Sequence, residues 1–283
     1  MKVSFIICYS STKPMTIFDP SRWKKRNSKL EEKILLTTNN LIKQILTLPV
    51  DKEILLMDNS GDFKTDIVDK DLIITKTHGA WTDEEFKDNI NNFSNVKDKF
   101  NTKFKQSNQA ETTALAYNHG ISLATGDYLI ISHNDIEYLF DYYSKDEIIN
   151  DLIAYLENNK LEYITVDKKP RKECSPEGYE FFADCYWFLC RGNFYKKHDI
   201  WVDWIRGDNN HLATISCIDK KLPFEHLRGY YEKKSIERHN FGNFIRKKYP
   251  ELFYSGKNFH IFNNKLFLAH IKGGTGLEKL IKR

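Results

Sequence analysis

The sequence predicts an α/β protein built on an open, mainly parallel, twisted sheet flanked by helices. Three observations lead there. Short aliphatic and β-branched runs without polar alternation, at Val3 to Cys8, Glu53 to Met57 and Tyr128 to Ser132, read as strands buried on both faces. A longer segment between the first two, from Ser28 to Leu48, repeats its apolar residues at helical spacing. Strands alternating with helices call for crossover connections, which parallel pairing accommodates.

Each element follows in turn. The first strand ends in the polar turn Tyr9 to Lys13. Leu30, Ile34, Leu35, Leu41, Ile42, Ile45 and Leu46 form the apolar stripe of the first helix, and Pro49 ends it. The second strand runs into Asp58-Asn59-Ser60-Gly61-Asp62, and Leu72 to Thr75 reads as a third strand. Residues 81–109, rich in Asn, Lys and Asp with scattered Phe, read as a surface excursion. Order returns with a helix over Ala110 to Ala124, a Gly126-Asp127 turn and the Tyr128 strand, which ends in His133-Asn134-Asp135. A helix over Asp146 to Asn158 and a strand over Tyr163 to Val166 follow, and beyond Lys168 the chain reads as aromatic-rich and irregular. Within it Tyr179, Phe181, Phe182, Tyr186, Trp187 and Phe188 read as core before they read as a sugar-stacking platform.

Composition narrows the function classes. The 283 residues are 41% hydrophobic, enough for one large core. The 43 basic and 39 acidic residues are interspersed, which argues against a dedicated nucleic-acid binder and leaves weak contact with an anionic membrane open. The cluster Arg238, Arg246, Lys247 and Lys248 reads as solvated surface before it reads as a phosphate site. Five cysteines without a CxxC pair suggest a reducing compartment, so a cytoplasmic location is expected. No apolar run approaches the roughly 20 residues of a membrane span.

In open α/β sheets, ligands bind beyond the carboxyl ends of the strands. The clusters at Cys8 to Ser11, Asp58 to Asp62 and His133 to Asp135 occupy such ends and are expected at one rim. Alone, an Asp after a strand is a turn former or helix cap. Here the order of motifs adds meaning. VSFIICYSS, EILLMDNSGD and AETTALAYNHGISLATGDYLIISHNDIEYL resemble the opening strand and turn, the "DNGSxD" strand end and the A-x-N-x-G-x-x-x-A-x-G core of family 2 glycosyltransferases of the GT-A fold. The resemblance covers roughly residues 1 to 140 and thins beyond them.

The resemblance implies a donor-binding half over 1–140 and, in the same domain, an acceptor half with a C-terminal helical extension over 141–283. It implies an inverting transfer of a sugar, UDP-hexose in the first instance, to a glycan, lipid-linked or protein hydroxyl. Tyr9 and Asp58 would sit at the nucleoside, the Asn118 region would line the donor pocket, and His133 and Asn134 stand where the family commonly has acidic residues. Asp135 would hold Mn²⁺ or Mg²⁺, with Asn134 extending the site directly or through water, because hard cations take oxygen ligands and neutralise diphosphate charge. His226 in FEHLRGYY would contact metal or diphosphate, with His270 a second option. Asp208 in WIRGDNN would be the base, Asp203 its neighbouring competitor and Asp184 a weaker one.

Two other readings use similar sheets. A nucleotidyltransferase would need a Gly-rich, Lys/Arg-bearing opening loop, which this chain lacks. A catalytically silent nucleotide- or carbohydrate-binding protein would tolerate the non-acidic His133 and Asn134.

Overall fold

The computed structural model describes residues 1–13, 24–25, 28–77, 109–166, 183, 186–202, 210–227, 229–230 and 257–271. The expected excursion at 81–109 falls almost wholly outside them, as do Asp184, Asp203 and Asp208 and the basic cluster at 238–248.

Seven strands make the main sheet: β1 (Lys2–Tyr9), β4 (Asp51–Asp58), β5 (Leu72–Lys76), β6 (Tyr128–His133), β8 (Tyr163–Val166), β9 (Trp187–Arg191) and β10 (Glu225–Leu227). Their order is β10-β8-β9-β6-β1-β4-β5. β1 pairs in parallel with β4 and β6, β4 with β5, and β10 with β8, while β9 runs antiparallel to both β6 and β8. The sheet is therefore mainly parallel, as the strand and helix alternation requires.

Alternate residues of β1 feed two cores, because successive side chains point to opposite faces. Val3, Phe5 and Ile7 join Ile54, Leu56 and the apolar stripe of α1 (Ser28–Leu46), together with α3 (Ile148–Asn158). Ile6 and Cys8 join Leu55, Met57 and α2 (Gln109–Leu123) on the other side, where α4 (Phe194–His198) and α5 (His211–Asp219) also pack. Of the sequence's aromatic stretch, Tyr186, Trp187 and Phe188 are fully enclosed and belong to these cores.

Glycines in the A-x-N-x-G-x-x-x-A-x-G segment permit close approach. A Cβ on Gly120 would collide with Ile6 Cγ2 and lie 3.3 Å from Met57 Cγ, so α2 reaches the sheet only because that atom is missing. At the opposite rim Glu53 joins three strand starts. Its carboxylate accepts from Lys2 Nζ at 2.7 Å, Ser4 Oγ at 2.5 Å, and the Thr125 amide and hydroxyl at 2.6 and 2.8 Å.

Sequence reading did not anticipate a second sheet. β7 (Ile136–Tyr138), β11 (Gly229–Tyr230), β12 (Lys257–Phe262) and β13 (Lys265–Ile271) pair in the order β11-β12-β13-β7. β12 and β13 form a hairpin around Asn263 and Asn264, at φ of 48° and 57°. Residues beyond 168, read as irregular, thus supply a regular hairpin. β13 also pairs antiparallel with β7, setting His270 opposite Ile136. The two short strands β2 (Thr12–Lys13) and β3 (Lys24–Lys25) make a separate ladder. Among the described residues, no helix is long and apolar enough to cross a membrane.

Candidate functional site

Register alone brings the strand-end clusters together. Tyr9 is level with Asp58 across β1 and β4, and Cys8 is level with His133 across β1 and β6. The rim expected from the sequence therefore carries both Asp58 and the turn leading to Asp135.

The two sides of this rim are built differently. On the Asp58 side the carboxylate closes its own loop: Oδ1 accepts the amides of Ser60 at 3.1 Å and Gly61 at 2.8 Å, and Oδ2 that of Phe63 at 3.0 Å. Gly61 sits at φ 71°, which this tight loop demands. Asp62 links the loop to the first strand end by accepting from Ser11 Oγ and Ser60 Oγ at 2.5 and 2.7 Å. The Tyr9 ring meets Phe63 edge-on at 4.8 Å. Asp58 thus acts as the turn former its residue type suggests, closing a tight loop beside the first strand end. Burial and the nearby Asp58 charge push the Cys8 thiol up to about 12, which keeps it protonated.

On the other side, β6 ends at His133, a two-residue turn follows, and Asp135 precedes β7. β13 then delivers His270. His270 Nε2 lies 3.2 Å and His133 Nδ1 3.9 Å from Asp135 Oδ1. One ligand atom from each of the three residues falls within 4.8 Å of the others. Burial by itself would raise the Asp135 pKa, but the adjoining His270 and then His133 outweigh it and hold the carboxyl below its usual value. Despite the short His270 contact, Asp135 Oδ1 is buried without a well-aligned hydrogen bond among the described residues, and His270 Nδ1 is likewise unpartnered. Orphaned buried polar atoms beside a carboxylate and two imidazoles suit a bound cation.

A supporting layer stands behind this group. The Tyr186 ring packs edge-on against His270 at 4.0 Å between centroids, and its hydroxyl bonds His260 Nε2 at 2.9 Å. Burial, with the neighbouring His270 charge, lowers His260 to about 3, so it is a neutral imidazole. The Tyr186 carbonyl accepts the His133 amide at 3.1 Å. One residue therefore braces both histidines flanking Asp135.

Other sequence candidates lie elsewhere or are engaged. Asn134 donates Nδ2 to Thr38 Oγ1 at 3.0 Å, tying the turn to α1. Asn118 reaches across to Val202 with both ends of its amide, Nδ2 to the carbonyl and Oδ1 from the N–H, each at 2.9 Å. It fastens α2 to the residue immediately before Asp203. His226 stands on the edge strand β10, three strand spacings or about 14 Å from β6. Its Nε2 contacts Tyr163 Oη at 3.1 Å and burial lowers it to about 4. The sequence ranked His226 ahead of His270 for the metal, whereas the fold brings His270 to Asp135. The missed signal is the Asn263-Asn264 pair between apolar runs, which marks a hairpin and hence a strand carrying His270.

Comparison with family models gives no match, and comparison with curated proteins gives none. Among solved structures the chain is similar to Staphylococcus aureus TarS 1-349, with 11% identity over 72% of this chain and 50% of that one and a TM-score of 0.34. It is similar to the mannosyltransferase PcManGT from Pyrobaculum calidifontis in complex with GDP-Man and Mn²⁺, with 12% identity, 87% and 60% coverage and a TM-score of 0.40. It is also similar to the bifunctional IspDF from Campylobacter jejuni, with 10% identity, 83% and 52% coverage and a TM-score of 0.40. The chain spans about half the length of the TarS and IspDF chains. The α/β class rests on the strand order itself, not on these likenesses.

Proposed function

We propose that the chain transfers a hexose-type sugar from a nucleoside diphosphate donor, UDP-hexose in the first instance, to a hydroxyl acceptor with inversion at the anomeric carbon. The observation that carries this reading is the meeting of His133, Asp135 and His270 ligand atoms within 4.8 Å at the carboxyl rim of the sheet. The same rim carries the Tyr9 and Asp58 strand ends. The order of motifs in residues 1 to 140 supports it independently.

In this reading Asp135 supplies the anionic ligand to a divalent cation and the two histidines supply neutral ones. Such a cation would offset the charge that collects on the departing diphosphate. The loop closed by Asp58 flanks the nucleoside, with Tyr9 behind it. Asp208 takes the proton from the acceptor hydroxyl, and Asn118 holds both backbone groups of Val202, the residue before Asp203. A glycan, a lipid-linked sugar and a protein hydroxyl are the acceptor classes.

Calorimetric titration with UDP, with and without Mn²⁺, tests the site: binding should require the cation and disappear in Asp135→Asn. Equal binding without any cation would remove Asp135 from the role. A panel of sugar nucleotides assayed for hydrolysis and transfer then identifies the donor. Asp208→Asn should bind donor and lose turnover, whereas retained turnover would shift the base to Asp203. Donor binding without turnover across the whole panel would favour the silent binding protein.

A further inference from the structure

We infer that the centre formed by His133, Asp135 and His270 takes an imidazole-binding first-row cation, from the Mn²⁺ to Zn²⁺ series, and discriminates against Mg²⁺ and Ca²⁺. The inference deepens the proposed cation role and rests on it for its biological meaning, yet it concerns the donor set alone.

The three ligands are two imidazole nitrogens and one carboxylate oxygen. Mg²⁺ and Ca²⁺ are hard cations that select oxygen ligands, and Mg²⁺ in particular sheds water reluctantly and favours carboxylate and phosphate oxygens. Imidazole suits the later transition cations, whose affinity for nitrogen-containing sites generally rises from Mn²⁺ through Co²⁺, with Zn²⁺ also above Mn²⁺. A site meant for Mg²⁺ would be expected to add oxygens. Among the described residues, the cluster holds one carboxylate and no second acidic ligand.

The geometry supports ligation over a simple ion pair. His270 Nε2 comes to 3.2 Å of Asp135 Oδ1, close enough for a hydrogen bond, yet that oxygen has no aligned donor. Two potential ligand atoms this close, with a third within 4.8 Å, match an arrangement directed at a common cation. Tyr186 holds the rings in place, contacting His270 at 4.0 Å and His133 at 6.0 Å between ring centroids. It is a positioning residue. Such edge-on ring contacts restrict the orientation of both imidazoles.

The test uses the full chain freed of metal by a chelator. Mn²⁺, Co²⁺, Zn²⁺ and Mg²⁺ are titrated separately by calorimetry, with Co²⁺ also followed by its visible ligand-field absorption and each cation by its effect on Tm. The expected order is Zn²⁺ and Co²⁺ tightest, then Mn²⁺, with Mg²⁺ at least about tenfold weaker than Mn²⁺. His270→Ala should weaken Co²⁺ and Mn²⁺ binding at least about tenfold and alter the Co²⁺ spectrum. His270→Gln, which returns an oxygen, should narrow the gap between Mn²⁺ and Mg²⁺. Metal-free Tm values of both variants establish that they fold.

Mg²⁺ binding as tightly as Mn²⁺, no binding of any of the four cations, or a His270→Ala protein with unchanged Co²⁺ affinity and spectrum would each overturn the inference. A UDP titration run beside these separates it from the proposed function. Cations bound in the expected order with no UDP binding would sink the transferase reading and leave the inference standing. UDP binding supported equally by Mg²⁺ and Mn²⁺, with His270 dispensable, would do the reverse.

Discussion

His270 faces Asp135 because β13 pairs with β7, placing His270 opposite Ile136, the residue next to Asp135. The candidate centre is therefore created by a strand pairing between distant parts of the chain, and it depends on the hairpin that presents β13. Asn263 and Asn264, at φ of 48° and 57°, make the two-residue turn of that hairpin. β-branched residues resist this left-handed region. Asn263→Val and Asn264→Val should each cost about 1–2 kcal/mol, while Asn264→Gly should be tolerated. Urea unfolding measures the cost, and Co²⁺ binding should weaken in parallel with it.

Gly120 makes a second prediction from packing. A methyl group there overlaps Ile6 Cγ2. Gly120→Ala should destabilise the protein by about 1–3 kcal/mol, the usual penalty for an overfilled core. Combining it with Ile6→Val, which keeps Cγ1 and Cγ2 but removes the terminal methyl, should recover little, whereas Ile6→Ala removes the clashing atom and should make the two changes strongly non-additive. Denaturant midpoints of the four proteins in that cycle decide it.

Acid stability should report on Glu53. Burial by itself would raise this carboxyl, but the bonds from Lys2, Ser4 and Thr125 prevail and lower it to about 2. A folded pKa below the unfolded one stabilises the protein above the unfolded value, and that contribution fades as pH falls from about 4.5 toward about 2. Its size is on the order of 3 kcal/mol. Tm followed from pH 6 to pH 2, as roughly spaced points across both values, should fall less steeply in Glu53→Gln, from a lower starting value.

Asn118 offers a test of the link between α2 and Val202. Its amide meets both backbone groups of Val202. Asn118→Ala would leave a buried N–H and a buried carbonyl without partners, at about 1–3 kcal/mol each. Under the proposed function, turnover should fall further than donor affinity, because the segment ahead of Asp203 loses its anchor. A kcat unchanged beside a lowered Tm would confine Asn118 to stability.

Five of the main sheet's seven strands were legible as local signals, whereas β9 and β10 lie beyond Lys168 in the part that reads as irregular. β1, β4 and β6 are apolar on both faces, and α1 carries a clear stripe, so each can be read within its own segment. The rim followed from those elements by a general rule of open sheets. The second sheet was hidden because β7 is only three residues long and its partner lies far along the chain. For the same reason the choice between His226 and His270 could not be made from residue type, since both are histidines in apolar surroundings. Asp58 and Asn118 were visible as notable residues, but their engagement by backbone groups depends on loop geometry that motif spacing does not encode.

β13 (Lys265–Ile271) is synthesised after β6 and β7. While translation is still short of β13, His133 and Asp135 can be present on a nearly finished sheet with no third ligand beside them. Under the proposed function, tight capture of a cation waits until the hairpin docks, and metal occupancy would mark a molecule whose β13 has paired with β7.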